Sequence, residues 1–133
     1  MRRSVKFWVV LPLVLSCVGL LFAGAGDGLW RGKVPERDKG RANPFAENTE
    51  AAMAGGKLFE QNCASCHGKD AEGKGKKPPL RSERVREATP GELEWLLTNG
   101  NMKNGMPSWA RLPEPQRWQI VTYLKSLQSP PGQ

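Results

Sequence analysis

Cys63-Ala64-Ser65-Cys66-His67 is the stretch on which the reading of this chain turns, and His67 is its only histidine. C-x-x-C-H is the attachment signature of c-type haem: two thiols add to the porphyrin vinyl groups, and the adjoining histidine ligates the iron. Two intervening residues set the sulfurs about one helical turn apart, and the next residue points its imidazole at the metal. Other uses of C-x-x-C fit less well. A thioredoxin-like dithiol sits at a strand-to-helix turn, whereas no β-branched alternating segment precedes Cys63 and that flank reads as helix. Zinc needs four ligands, and no Cys or His follows His67. A Cys63–Cys66 disulfide would close too small a loop to stabilise much.

Upstream, Met1-Arg2-Arg3-Ser4-Val5-Lys6 is a basic n-region, Phe7 to Phe22 is uncharged and apolar, and Ala23-Gly24-Ala25 fits a small-x-small cleavage site. Residues 1–25 are therefore expected to be a signal peptide cleaved after Ala25. An uncleaved anchor is the alternative, because the 19 uncharged residues Phe7–Ala25 are just long enough to span a bilayer. Lipidation at Cys17 is a third route. Val14-Leu15-Ser16-Cys17 loosely resembles a lipobox, although the apolar stretch after Cys17 argues against it. Each route places the remainder outside the cytoplasmic membrane, where bacteria attach haem to such motifs. Localisation is expected to be the periplasm, with membrane contact only through an uncleaved or lipidated N-terminus.

Without the signal, 17 basic residues face 13 acidic ones, a balance of +4. That charge suits weak docking to acidic protein surfaces. It does not point to nucleic acid, because the basic residues are scattered among acids with no aromatic-studded stripe.

Residues 26–47, rich in Gly, Pro and charge, read as a flexible arm. Residues 48–128 form the expected domain, and 129–133 a disordered tail. Three helices are legible. Thr49 is placed to cap the first, which runs to about Cys63 and puts Gly55 and Phe59 on one face. Thr89-Pro90-Gly91-Glu92 is a capping box opening the second, and Asn99-Gly100 is its stop. The third starts near Pro113–Pro115 and runs to about Leu127 with Ile120, Tyr123, Leu124 and Leu127 on one stripe. Met53 is expected in the core. From Gly68 to Glu92 only Leu80 and Val85 are large and apolar, so that loop is expected to wrap a rigid group rather than bury itself. The apolar content is thin for independent folding, and a covalently held porphyrin would complete the core.

Over about Ala51 to Leu127 the chain resembles the class I c-type cytochromes. The shared features run in family order: Gly55-x-x-x-Phe59, Cys63 to Gly68, Pro78-Pro79-Leu80, Gly105-Met106-Pro107 and the closing helix Trp118 to Leu127. The resemblance implies an all-α cytochrome c-like domain of three to four helices around one covalently attached haem c. It implies that the first and last helices cross, with Gly55 and Phe59 against Ile120 and Tyr123. Met106 is then the expected second iron ligand opposite His67, a soft thioether suited to redox iron, with Pro107 restraining its backbone. Met102, four residues away, is the rival. By the same resemblance the Pro78 carbonyl accepts the free imidazole N–H of His67, with Pro79 the other candidate. Leu80 packs on the haem face, and Trp109 lies near its edge or a propionate. Trp95 and Trp118 are either interhelical packing or haem contacts.

Lys69, Lys74, Lys76, Lys77 and Lys103 flank the loops through which a haem edge would be reached. They would either steer an acidic partner or merely keep those loops soluble. With both axial positions filled, iron has no place for substrate. The expected function is a monomeric one-electron carrier between a redox donor and acceptor, such as a periplasmic dehydrogenase and an oxidase or membrane complex, and not an enzyme. A membrane-tethered subunit is the second reading. A haem enzyme or ligand sensor is the third, and no second histidine supports it.

Overall fold

The computed structural model describes residues 28–128. The signal segment 1–25 and the tail 129–133 therefore lie outside the described residues. Six α-helices occur among them, in the order α1 (Glu36–Lys39), α2 (Thr49–Asn62), α3 (Ala64–His67), α4 (Glu83–Glu87), α5 (Pro90–Asn99) and α6 (Glu114–Ser126). There is no named strand among these residues, only two isolated bridges, Lys74 with Lys77 and Asn101 with Met106. The architecture is all-α, and the three long helices are those the sequence announces. α3 and α4, of four and five residues, break up the loop around the motif.

The frame is the crossing of α2 and α6. Gly55 makes it possible: a Cβ at that position would lie 1.9 Å from the Gln119 carbonyl oxygen. One turn on, the Phe59 and Tyr123 rings meet with centroids 5.3 Å apart. Phe59, Ile120 and Val121 are the largest side chains buried almost completely, as expected where two apolar helix stripes close on each other. The cap of α2 is Asn48 rather than Thr49, with Asn48 Oδ1 accepting the Ala51 N–H at 2.8 Å. Met53 is 63% exposed and not in the core. It sits two residues from both Ala51 and Gly55, off the stripe of α2 formed by the buried Ala51, Gly55 and Phe59.

α5 starts as expected. Thr89 Oγ1 accepts from Glu92 N at 3.1 Å, and Glu92 Oε2 accepts from Thr89 N at 2.8 Å. Lys125 of α6 donates to the carbonyls of Arg86 and Ala88, both at 2.7 Å, closing the C-terminal end of α4.

Residues 28–47 do not behave as the flexible arm their composition suggests. They open with a 3₁₀ turn, Gly28–Lys33, continue through α1, and lie packed as a strap with Trp30 and Val34 buried. Arg31 holds Glu92 through two hydrogen bonds, and Arg41 pairs with Glu94 at 2.9 Å. Asn43 Nδ2 donates to Thr122 Oγ1 at 2.9 Å. Gly91 lets the strap close in, since a Cβ there would lie 1.9 Å from the Asp38 carbonyl oxygen. Charged residues make this segment read as solvated, but their partners lie on distant helices, where pairing and burial offset the cost of ordering.

Candidate functional site

Cys63 closes α2 by donating its N–H to Phe59 O at 2.8 Å, and its own carbonyl accepts from Cys66 N and His67 N at 3.1 and 2.9 Å. The pentapeptide is thus a single fresh helical turn that projects both thiols and the imidazole from one corner. Gly68, at φ +79°, ends the turn. His67 Nδ1 lies 3.1 Å from the Pro78 carbonyl oxygen. A carbonyl only accepts, so the proton resides on Nδ1 and the lone pair on Nε2 is free for a metal. Of the two candidate prolines, Pro78 makes this contact.

Both cysteines are free thiols. Burial, reinforced by the neighbouring Cys66, pushes the Cys63 thiol up to about 11. A redox dithiol needs the opposite, a thiol that ionises readily near neutral pH. Cys63 is thus buried and held neutral, while Cys66 stands exposed at the same corner.

Met106 arrives from the far end of α5. Asn101 N donates to Met106 O at 2.8 Å and Met106 N to Asn101 O at 3.1 Å, while Trp109 N reaches Leu97 O at 2.8 Å. Ser108 Oγ donates to Thr98 O at 2.5 Å. These bonds lace the loop to the end of its helix and leave Met106 half-buried. Met102 instead rides on the 3₁₀ turn Met102–Asn104 and is 70% exposed.

These elements enclose a cavity of about 630 Å³. Cys63, Cys66, His67, Pro78, Leu80, Met106 and Trp109 all line it, and Met102 does not. Leu93 and Leu97 of α5 and Ile120 and Leu124 of α6 form apolar walls. Protein interiors leave few voids larger than a water molecule. The chamber's volume lies in the range of ligand pockets (about 300–1,000 Å³), and the convergence of two thiols, an imidazole and a thioether on it marks it as the candidate site.

Residues 50–124, more than half of the chain, match the sequence model of the family described as cytochrome c oxidase, cbb3-type, subunit III. Cytochrome c550 of Pseudomonas aeruginosa is 32% identical over 105 residues, 74% of this chain and 67% of that protein. The chain belongs to the cytochrome c family. The cbb3-type cytochrome c oxidase subunit CcoP of Rubrivivax gelatinosus is 30% identical over 92 residues, covering 68% of this chain but only 30% of the subunit. Among solved structures, cytochrome CL of Methylophaga aminisulfidivorans superposes with a TM-score of 0.55 at 26% identity, over 62% of this chain and 57% of its own.

Cytochromes c carry haem c attached covalently through a cysteine pair, and this chain fits the group. It offers two free thiols at C-x-x-C spacing, an imidazole with its second nitrogen engaged, a thioether, and an apolar chamber joining them. No cluster of three or more His, Cys, Asp or Glu suited to a bare metal ion occurs among the described residues.

Some wall residues escaped the sequence. Trp30, from the strap, lines the cavity, and only its size and its position in an otherwise polar stretch marked it. Trp95 and Trp118, weighed as haem contacts, are not among the lining residues. Trp118 is buried with the Arg41 guanidinium 5.1 Å above its ring. Of the five loop lysines, Lys76 and Lys77 line the cavity mouth and Lys77 Nζ reaches Gly105 O at 3.5 Å, whereas Lys69 faces Glu60 at 3.6 Å.

Proposed function

We propose that this protein is an exported monohaem cytochrome that carries one electron at a time between redox proteins, with His67 and Met106 as the axial ligands. The observation that carries the reading is the convergence of both ligand side chains and both thiols on one cavity. When bound, haem iron supplies reversible one-electron chemistry, and His/Met ligation favours a raised potential. The chain's own part is to hold and shield. Cys63 and Cys66 anchor the group, and Pro78 orients His67 and strengthens its donation. The Asn101–Met106 pairing presents the thioether. The leucine and isoleucine walls keep water out. With two protein ligands no coordination position remains for substrate, which favours a carrier over an enzyme.

Lys76 and Lys77 at the mouth, with exposed Lys74 beside them in sequence and exposed Lys103 two residues before Gly105, whose carbonyl Lys77 reaches, suit brief docking of donors and acceptors with acidic surfaces. A periplasmic dehydrogenase and an oxidase complex are the partner classes, and the carrier acts as a monomer. The signal-like residues 1–25 support the periplasm as its compartment. The CcoP match favours a second reading, a subunit tethered by an uncleaved Phe7–Ala25 segment. No helix among the described residues is long and apolar enough to cross a membrane.

The visible spectrum of the exported protein tests the main reading. A covalently bound haem, a weak far-red sulfur-to-iron band when oxidised, and inertness to carbon monoxide when reduced are expected. Rapid carbon monoxide binding by the native reduced protein would replace the carrier with a ligand-binding haem protein. A mature chain starting at Gly26, read by mass spectrometry, rules out the tether.

A further inference from the structure

We infer that Trp30 is a haem-contacting residue supplied from outside the segment that the family model matches, and that buried carboxylates on α5 hold it in place. The inference rests on haem filling the cavity, as proposed above.

Trp30 precedes the matched segment, residues 50–124, by twenty positions. It is nonetheless only 7% exposed, belongs to the same apolar cluster as Phe59, Leu93 and Leu97, and lines the chamber that receives both thiols, His67 and Met106. Its own turn does not drive it inward, because the preceding Leu29 is 77% exposed and Gly32 and Lys33 are exposed as well.

The inward position is held by the buried Val34 four residues on and by the next residue, Arg31. Arg31 Nε and Nη2 donate to the two carboxylate oxygens of Glu92 at 3.2 and 3.0 Å, a bidentate pair. Further along, Arg41 engages Glu94. The Glu92 and Glu94 side chains are only 5% and 3% exposed, and a buried carboxylate requires its partner. The latch therefore holds the strap, and the strap holds the indole against the chamber.

The chemical effect is on water. Oxidised haem iron carries one more positive charge than reduced iron, so water reaching the group favours oxidation, and an apolar cover raises the potential. Trp30 is the cover on the strap's side.

The test is a spectroelectrochemical titration of the holoprotein, with haem loading read from the visible spectrum and helicity from circular dichroism. Trp30→Ala should lower the potential while haem and helices are retained, Trp30→Phe should recover most of the shift, and Leu29→Ala should give none. A haem-loaded Trp30→Ala with the native potential overturns the inference, as does a Leu29→Ala shift of equal size. If Trp30→Ala does not hold haem, Arg31→Lys decides. It keeps the indole and the charge but loses the bidentate pair, so a lowered potential supports the inference and an unchanged one overturns it. A native protein without haem would instead sink the proposed function.

Discussion

Gly55 on α2 and Gly91 on α5 mark two equally close approaches: a Cβ at either would lie 1.9 Å from a carbonyl oxygen, of Gln119 in one case and Asp38 in the other. Their surroundings differ. Near Gly55 the partners are Phe59, Tyr123, Ile120 and Val121, which meet through apolar contact. Near Gly91 the strap is held by Arg31 on Glu92 and Arg41 on Glu94, with Arg117 reaching the same Glu94 at 2.9 Å. The first contact draws on the hydrophobic effect, which needs a periodic stripe on each helix. The second draws on charge pairs between residues 61 and 53 positions apart, which leave no periodic trace. Equal closeness therefore conceals unequal strength, because a strap with two buried apolar anchors, Trp30 and Val34, and otherwise polar ties has more room to shift than a helix crossing in the core.

The largest effect bears on the chamber beneath the crossing. Cys63→Ala combined with Cys66→Ala should abolish covalent haem and leave a chain without stable helices by circular dichroism. The apolar core left without the porphyrin is too thin. A stably helical, haem-free double variant would show that the crossing stands by itself.

Met106→Ala comes next. It should retain covalent haem, lose the far-red band, bind carbon monoxide and lower the potential, whereas Met102→Ala leaves all four unchanged. Loss of the band in Met102→Ala instead would transfer the ligand role to the 3₁₀ turn.

The comparison itself is sharpened by the paired glycines. Gly55→Ala should destabilise the holoprotein by about 3 kcal/mol in urea unfolding, at the upper end for overpacking a core. Gly91→Ala should cost about 1 kcal/mol, because the strap can give way. Equal losses would mean that strap and crossing unfold as one unit, and the distinction drawn here would fail.

The smallest effect is the pH dependence of the latch. Burial alone would raise the Glu92 carboxyl, but hydrogen bonds from Arg31 and from the Thr89 backbone outweigh it and hold the group below its ordinary 4.5. Its contribution is thus fully present above 4.5 and fades as pH falls from there through the lower folded value. Unfolding curves taken down through that window should lose stability less steeply in Glu92→Gln than in the native protein. An unchanged slope would place the acid sensitivity elsewhere.

Much of the site could be read from the chain alone because its parts are local. The C-x-x-C-H turn needs only five consecutive residues, and the Thr89–Glu92 box needs four. Gly55 and Phe59 declare a helix face by their spacing. The expectation of Met106 rather than Met102 as iron ligand also draws on local evidence, the adjoining proline and the position before α6, and of the two only Met106 lines the chamber. Local evidence misled where a neighbour in space takes over. Asn48, not Thr49, caps α2, since the adjoining residue offers the better acceptor. Met53 reads as core by type but is 63% exposed, off the buried stripe of α2. Residues 28–47 looked solvated because Arg31, Arg41 and Asn43 are polar, and nothing nearby reveals that Glu92, Glu94 and Thr122 await them.

The covalent chemistry of this protein, its three long helices and the pairing of thiols with an imidazole were written in short, contiguous patterns, which is why the one-dimensional chain determined them. The choice between Pro78 and Pro79 beside His67, the addition of Trp30 to Trp109 on the chamber wall and whether the N-terminal stretch packs at all were decided only in three dimensions. Those choices rest on directional hydrogen bonds and ion pairs between residues far apart in the chain, whose partners are unknown until the chain has folded.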